Sequence, residues 1–279
     1  MLRHTFCHIQ NVGEKSERWL WGAGLRSWDD LLGGECDRLP RYRVDWLRRR
    51  IGESLEELRR GNSHYFAERL PPGEHWRLFP AFRHSVAYLD IETNGFSGAG
   101  GYITTIAVYD GESIFHYVRG RNLADFATDI RKYKLLVTYY GKSFDLPFIE
   151  RAMGLKLNTP HIDLCYLLRN LGYRGGLKGC EKQLGIDRKE LDGITGYFAV
   201  LLWNDYLRKG NRKALETLLA YNIQDVLSLE HLMVVAYNLK LRNTPFEENR
   251  RLSVPHLPEI PFKVDIPTVD RLRQRRAWY

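Results

Sequence analysis

The sequence predicts an α/β protein in which a mixed sheet is flanked by helices and preceded by a small helical N-terminal appendage. Residues 84–118 contain three β-branched and aromatic runs separated by glycines, whereas apolar residues before them recur at helical spacing. A fourth strand-like run, KLLVTYY at 134–140, returns after a helical stretch at 122–133, and helical patterns continue to about residue 240. Strands and helices in this order are typical of a mixed α/β sheet.

The composition is that of a globular protein with an excess of positive charge. Of the 279 residues 44% are apolar, and the formal net charge is +8. No apolar run approaches the roughly 20 residues of a membrane span, and the first ten residues lack the apolar core of a signal peptide. We therefore expect a cytoplasmic protein without a membrane partner, and the positive charge favours a polyanionic partner such as nucleic acid.

The cysteines give little sign of a metal centre. Cys7, Cys36, Cys165 and Cys180 are widely spread and form no CxxC pair. This spacing disfavours a zinc or iron–sulfur site and favours buried, reduced thiols.

The predicted appendage, residues 1–83, contains several helical signals. A short helix, a turn at 11–13 and a helix over 14–21 are indicated by HIQNVGEKSERWLW, and Ser27 and Asp30 have the spacing of a capping box. Apolar residues between Val44 and Leu58 predict an amphipathic helix. The prolines and glycine of RLPPGEHWRLFPAFR interrupt the pattern, so we place the domain boundary near residue 83.

The first predicted strand, within AYLDIETNGF at 87–96, carries two carboxylates. Asp90 and Glu92 are two residues apart and therefore share one face of the strand, while Leu89 and Ile91 share the other. Two neighbouring acids on a buried face require a cation. The alternative is that the strand end emerges into solvent.

Two later acids follow secondary-structure elements that can bring them to the same region. Asp145 lies after the fourth strand in GKSFDLPFIE, where it either contributes to a site or caps the next helix. Tyr221 and Asp225 lie four residues apart on one face of a predicted helix, YNIQDVLSLEHL, where the alternative is a core tyrosine and a solvated acid.

Together these segments resemble a known nuclease family. YLDIET, GKSFDLPFIE, HIDLCYLLR, LKGCEKQLGI and YNIQDVLSLEHL, spread over residues 76–240, are similar to the DEDD (DnaQ-like) superfamily of 3′→5′ exonucleases, in its tyrosine-containing branch, and to the YprB-like group. The histidine branch has His five residues before the last acid, where this chain has Ala220. The resemblance implies a ribonuclease H-like fold for residues 84–240. Residues 241–279 contain five prolines and end in RLRQRRAWY, so we expect this Pro- and Arg-rich tail to be extended or disordered.

The resemblance also implies a site. Asp90, Glu92, Asp145 and Asp225 would be the metal-binding carboxylates for two divalent cations, Mg²⁺ or Mn²⁺, and Tyr221 would orient the attacking water. The residues expected to contact nucleic acid are Thr93, Tyr140, Lys142 and Phe144.

Some of these positions have alternatives. Many relatives have Asn at the position of Tyr140, which here either stacks on a nucleobase or is buried. Lys142 either contacts a phosphate or is solvated. Asp163, in HIDLC at the start of a predicted helix, is favoured as a helix cap over a fifth ligand.

The function that the resemblance implies is a metal-dependent 3′→5′ exonuclease acting on single-stranded ends, with DNA favoured. The alternatives are an exoribonuclease that uses the same site and a noncatalytic nucleic-acid-binding module. Val12 and Gly13 resemble part of a helix–hairpin–helix turn that could bind a phosphate, against which simple packing of helices remains open. Two arginine-rich segments, 41–50 and 271–276, could likewise bind a strand or be solvated.

Overall fold

A five-stranded mixed sheet lies at the centre of the computed structural model. The strands are β1 (Val86–Thr93), β2 (Ile103–Tyr109), β3 (Ile114–Val118), β4 (Leu135–Thr138) and β5 (His161–Asp163), in the order β3-β2-β1-β4-β5. The first three form an antiparallel meander, and β4 and β5 continue parallel to β1. The structure describes residues 1–34, 36–96, 98–188, 191, 193–242 and 244–276.

The faces of β1 separate as the alternation predicts. Tyr88 belongs to the buried cluster that contains Ile223 and Val226, whereas Leu89 and Ile91 belong to a second cluster on the other side of the sheet. Asp90 and Glu92 follow Tyr88 on its face. The two carboxylates therefore point towards the helix that carries Ile223 and Val226.

Helices cover both faces of this sheet. They are α6 (Phe126–Asp129), α7 (Asp145–Met153), α8 (Leu164–Asn170), α9 (Gly176–Gln183), α10 (Gly196–Lys209) and α11 (Arg212–Leu241). The 30-residue α11 packs across β1 and β2 and is buried over most of its circumference. A helix with an apolar surface nearly all round must be enclosed by other elements, and here the sheet, α8 and α10 enclose it.

The short strand β5 was not predicted. His161 and Asp163 were expected at the start of a helix, but they pair with Leu136 and Thr138 of β4, and α8 begins one residue later. Three residues are too few to display the two-residue alternation that identifies a strand. The expected capping role of Asp163 is confirmed, because its carboxylate accepts a hydrogen bond from the Cys165 backbone N–H at 3.0 Å.

The N-terminal residues form five α-helices in the described part, most of them short. These are α1 (Glu14–Gly22), α2 (Trp28–Gly33), α3 (Arg41–Arg59), α4 (Ser63–Ala67) and α5 (Phe79–Phe82). Ser27 caps α2 by accepting from the Asp30 N–H at 3.1 Å, as predicted. The helix expected before residue 11 was wrong: residues 5–13 form turns after a 3₁₀ helix at Leu2–His4.

The appendage and one face of the sheet share a core. Phe6 and Trp28 are fully buried in the same cluster as Tyr88 and Tyr237. We therefore propose that residues 1–83, although helical as expected, fold together with the sheet.

The prediction of an extended or disordered tail was wrong for its last part. Residues 251–260 lack helix and strand, but α12 (Ile266–Arg276) buries Val269 and Leu272 against the cluster that contains Phe198 of α10. Arg271 of this helix, which is half-buried, donates two hydrogen bonds to Asp205, at 3.0 and 2.6 Å. The final residues, 277–279, and the side chains of Arg275 and Arg276 lie outside the described part.

Two expectations about chemistry and membranes can be compared with the structure. All four thiols are free, with Cys7, Cys165 and Cys180 buried and Cys36 half-buried. Within the described ranges, no helix combines the length and apolar character needed to cross a bilayer.

Candidate active site

The site begins at the end of β1. Asp90 pairs in register with Ala107 of β2, and the pairing shifts by one residue between Glu92 and Thr93. Such bulges bend a strand and re-aim the side chains next to it. Thr93, expected to contact nucleic acid, is half-buried, and its hydroxyl accepts a hydrogen bond from the Gly95 N–H at 3.3 Å.

Helix α11 supplies the opposite wall. Tyr221 and Asp225 are buried, with 4% and 5% of their surface exposed, so the solvated alternative for Asp225 is excluded. Between them, Asn222 donates to the Asp90 Oδ2 at 2.7 Å and accepts from the Thr105 hydroxyl at 3.0 Å. These bonds tie the helix to β1 and β2 at the level of the acids.

Carboxylate oxygens from three of these acids lie close together. One oxygen from each of Asp90, Glu92 and Asp225 lies within 4.8 Å of the others. Asp145, the first residue of α7, reaches back to β1, where its Oδ1 accepts from the Ile91 backbone N–H at 3.1 Å. Its carboxylate therefore points towards β1, the strand that carries Asp90 and Glu92, and among the described residues it makes no capping hydrogen bond to its own helix.

Burial and mutual repulsion disfavour ionisation of these acids. Burial, followed by the charges of Asp225 and Asp145, raises the pKa values of Asp90 and Glu92 well above their ordinary range. Burial raises the pKa of Asp145 to about 7, although the Ile91 N–H opposes this shift. Burial also raises the pKa of Asp225. Such a cluster is stable in its charged form only beside cations.

The family follows from a match to this region. The model of the RNase H superfamily matches residues 87–237, just over half of the chain. The chain belongs to the RNase H superfamily. The matched residues begin in β1 and end in α11, and so contain the sheet and all the acids described above. The expected ribonuclease H-like fold is thereby confirmed.

Comparison with solved structures gives a remote similarity. The family B DNA polymerase from the hyperthermophilic archaeon Pyrobaculum calidifontis is 18% identical, with a TM-score of 0.43, over 60% of this chain. The aligned part spans 27% of that polymerase chain. None of the curated proteins matches the chain.

The loop between β4 and α7 of this RNase H domain presents the other expected contacts. Tyr140 and Phe144 are 48% and 44% exposed, so the alternative of a buried Tyr140 is excluded. Lys142 is exposed too. The Asp163 carboxylate accepts from the Tyr140 and Lys142 N–H groups at 2.8 and 3.0 Å, which fixes the loop to the end of β5.

A close approach of the backbone requires a glycine in this loop. A Cβ at Gly141 would lie 2.1 Å from the Thr138 hydroxyl oxygen and 2.6 Å from the Thr138 Cβ. The preceding Tyr140 adopts a left-handed backbone with φ of 64°. The chain can turn this tightly from β4 to Asp145 only because position 141 has no side chain.

Sequence reasoning missed two cations that lie against the acids. Lys178 of α9 lies 4.8 Å from the centre of the Tyr221 ring, and its buried amine has no hydrogen-bond partner among the described residues. Arg188 contacts Asp225 directly and Glu181 at 2.5 and 2.9 Å. Burial, and then the charge of Arg188, lowers the pKa of Lys178. Lys178 and Glu181 both belong to LKGCEKQLGI, a segment from which the sequence analysis took only the family resemblance.

The arginine-rich segments do not join this cluster. Within α3, Arg48 donates to the Leu31 and Gly34 carbonyls at 2.9 and 2.7 Å, and Arg50 bonds to Glu53 at 2.9 Å. Arg41, Arg43 and Arg49 are exposed, as is Tyr42, whereas Trp46 is half-buried. Strand binding by α3 therefore stays a prediction carried by its exposed residues alone.

Proposed function

We propose that this RNase H-superfamily protein is a metal-dependent nuclease of the tyrosine-containing DEDD type, of the YprB-like group, that removes nucleotides from the 3′ end of single-stranded nucleic acid, with DNA preferred. The observation that carries the proposal is the group formed by half-buried Asp90 and buried Glu92 and Asp225, in which one carboxylate oxygen from each lies within 4.8 Å of the others. A core has no structural use for three adjacent acids, whereas a divalent cation needs them.

The donor set fits Mg²⁺ or Mn²⁺. All the side chains offered are carboxylates, which hard divalent cations prefer, and Asp145 can supply a fourth. Two such cations, when bound, would supply Lewis-acid activation of a water and stabilisation of the leaving 3′ oxygen. The raised pKa values of Asp90 and Glu92 are consistent with a site designed to hold positive charge.

The neighbouring side chains have separate roles in this proposal. Asn222 holds the Asp90 carboxylate in one orientation through the 2.7 Å hydrogen bond. Tyr221 positions the attacking water through its hydroxyl. Burial, together with Asp225 and Glu92, raises the pKa of this tyrosine, so it stays protonated and is a hydrogen-bond donor rather than a general base.

The exposed loop residues are suited to the terminal nucleotide. Phe144 immediately precedes Asp145, so a base stacked on its ring lies next to the acids. Tyr140 offers a second exposed ring, Lys142 offers an amine for a phosphate, and we assign Thr93 to the same nucleotide from the other side of the site. The net charge of +8 favours binding to the polyanionic strand.

The decisive experiment is a panel of end-labelled substrates. Purified protein with Mn²⁺ or Mg²⁺ should shorten a 5′-labelled single strand of DNA stepwise from its 3′ end, and EDTA should stop the reaction. RNA and duplex substrates in the same panel test the sugar and the strandedness. If none of the substrates in the panel gives a product ladder, the nuclease proposal is refuted, and a noncatalytic nucleic-acid-binding module replaces it.

A pair of variants controls for the site. Asp90→Asn should reduce kcat/KM by about 10²–10³-fold or more, because a metal ligand is lost from the transition state. Asp205→Asn alters a buried acid that pairs with Arg271 away from the cluster, and should retain the wild-type rate. If Asp90→Asn cleaves at the wild-type rate, as Asp205→Asn should, the assigned site is wrong.

A further inference from the structure

Arg188 lies inside the acid cluster and makes an ion pair with one of its members. Its Nη2 contacts the Asp225 Oδ1, and the two side chains are only 5% and 7% exposed. Among the residues that the structure describes, no other cation makes an ion pair with Asp90, Glu92, Asp145 or Asp225. The guanidinium is therefore the direct counter-ion of this cluster.

A second carboxylate holds the guanidinium independently of Asp225. Glu181, which is 1% exposed, accepts from the Arg188 Nε at 2.5 Å and from its Nη2 at 2.9 Å. The remaining nitrogen, Nη1, is buried without a partner among the described residues. If the contact with Asp225 were broken, Glu181 would still hold Arg188 beside the cluster, and the Nη1 group would be available as a donor.

The same Asp225 carboxylate is needed by the proposed cation. A divalent ion bound by Asp90, Glu92 and Asp225 would lie next to the guanidinium, and two positive groups at one buried carboxylate repel each other strongly. Binding of the ion therefore favours separation of Arg188 from Asp225. The separated guanidinium offers planar paired donors, which suit a phosphate.

We propose that Arg188 is an exchangeable counter-ion: it neutralises Asp225 until a divalent cation replaces it, and then, still held by Glu181, it binds a nonbridging oxygen of the substrate phosphate. This inference rests on the proposed nuclease function. It predicts that the protein binds divalent cations more weakly than its acids alone would, and that the nucleic-acid strand compensates by engaging Arg188.

The first measurement is Mn²⁺ binding without nucleic acid. Isothermal titration calorimetry on the full chain at fixed pH and low salt should give a Kd at least about tenfold lower for Arg188→Gln than for the wild type, because the competing charge is gone. Arg188→Lys keeps the charge and should stay near the wild-type Kd. A gain in affinity is an effect that damage to the fold does not produce.

Arg83→Gln is the matched control. Arg83 donates to the buried Glu230 at 2.8 Å outside the acid cluster, so its variant removes one positive charge and leaves one glutamate unpaired, as Arg188→Gln does. Its Kd for Mn²⁺ should equal that of the wild type. If Arg83→Gln tightens Mn²⁺ binding equally, the effect is one of overall charge and the inference is wrong.

The second measurement uses nucleic acid. With saturating Mn²⁺, Arg188→Gln should raise the KM for a single strand more than it lowers kcat, because the variant lacks the phosphate contact that Arg188 makes when the strand binds. An unchanged KM would overturn the assignment to phosphate. If Arg188→Gln unfolds, the double variant Glu181→Gln/Arg188→Gln removes the lone buried acid, and the same Kd and KM changes are expected of it.

Failure of this inference can be separated from failure of the proposed function. If the wild type binds Mn²⁺ and degrades a strand but neither folded variant binds Mn²⁺ more tightly, Arg188 is a permanent structural partner of Asp225 and only the inference fails. A wild type that neither binds Mn²⁺ nor degrades any substrate refutes the nuclease function and the inference with it.

Discussion

The side-chain amide of Asn222 lies 2.7 Å from the Asp90 Oδ2 and connects the central strand to the long helix. The same amide accepts from the Thr105 hydroxyl at 3.0 Å, and Asn222 is fully buried. The chain of bonds crosses from β2 through α11 to β1, so the orientation of Asp90 depends on two other elements.

Asn222→Ala should break this chain. It leaves the Asp90 carboxylate without its donor and the Thr105 hydroxyl without its acceptor, so the free energy of unfolding should fall by about 1–3 kcal/mol. The rate of strand degradation should fall too. Urea denaturation and a nuclease assay measure the two effects. Thr105→Val removes only the outer bond and should affect the rate less; equal rates for Asn222→Ala and the wild type would exclude the orienting role.

Tyr221→Phe tests the hydroxyl apart from the ring. The ring should stay packed 4.8 Å from Lys178, so thermal stability should change little, while the rate should fall by about 10- to 100-fold, less than for Asp90→Asn. Because the pKa of Tyr221 is raised by burial, the variant should not alter the alkaline side of the pH–rate profile. Full activity of Tyr221→Phe would remove the tyrosine from the reaction.

Stability in EDTA should fall as the pH rises. Burial raises the pKa of Asp145 from 3.8 to about 7, so the native state binds more protons than the unfolded state between these values. The stabilisation is complete below the unfolded-state pKa and is lost as the pH approaches 7. Thermal melts at stepped pH measure this slope.

Two further melts identify its source. Asp145→Asn cannot ionise, so its melting temperature should fall less steeply over the same pH range. Mn²⁺ should oppose the fall in the wild type, because it binds the ionised carboxylates and stabilises the native state. Equal slopes for Asp145→Asn and the wild type in EDTA would contradict the assigned shift.

Gly141→Ala should displace the loop that leads to Asp145. The added Cβ would meet the Thr138 Cβ at 2.6 Å, which no side-chain rotation relieves, so we expect a loss of about 1–3 kcal/mol in unfolding free energy and a lower rate. Gly52→Ala is the control: apart from the adjacent backbone of α3, no atom lies within 4 Å of a Cβ added there, and helix propensity should make the variant more stable by about 0.5–1 kcal/mol. Denaturation midpoints compare the two.

Local patterns in the sequence predicted most of the sheet. The meander β1–β3 and strand β4 each have enough alternating or β-branched residues to display their period, and the alternation in β1 gave the face of Asp90 and Glu92 correctly. Strand β5 was missed because its three residues acquire their conformation from pairing with β4.

The side chains near the acids were harder to predict. The resemblance implied a site made of Asp90, Glu92, Asp145 and Asp225. In the structure one carboxylate oxygen from each of these acids except Asp145 lies within 4.8 Å of the others. Arg188 could not have been found, because 37 residues separate it from Asp225 and a loop arginine has no period. Asn222 is adjacent to Tyr221, but its partners Asp90 and Thr105 lie 132 and 117 residues away, so its role required the structure.

The prediction for the last residues failed because composition describes a segment alone. Prolines and arginines suggested a tail with too little apolar surface to fold, but Val269 and Leu272 become buried against α10, and Arg271 finds Asp205. A helix of this kind is stabilised by the surface that receives it rather than by its own propensity.

Helix α12 is comparable to a peptide ligand that is covalently tethered to the protein that binds it. Two apolar side chains, Val269 and Leu272, and the double hydrogen bond from Arg271 hold it, and the preceding chain at 251–265 acts as the tether that keeps its effective concentration high. A single proteolytic cut at 251–260 would turn an intramolecular association into a bimolecular one. The α12 peptide should then dissociate on dilution, and leave on the surface of α10 an apolar groove beside Asp205, which would keep its contacts with Lys209 and Asn211 but lose those with Arg271.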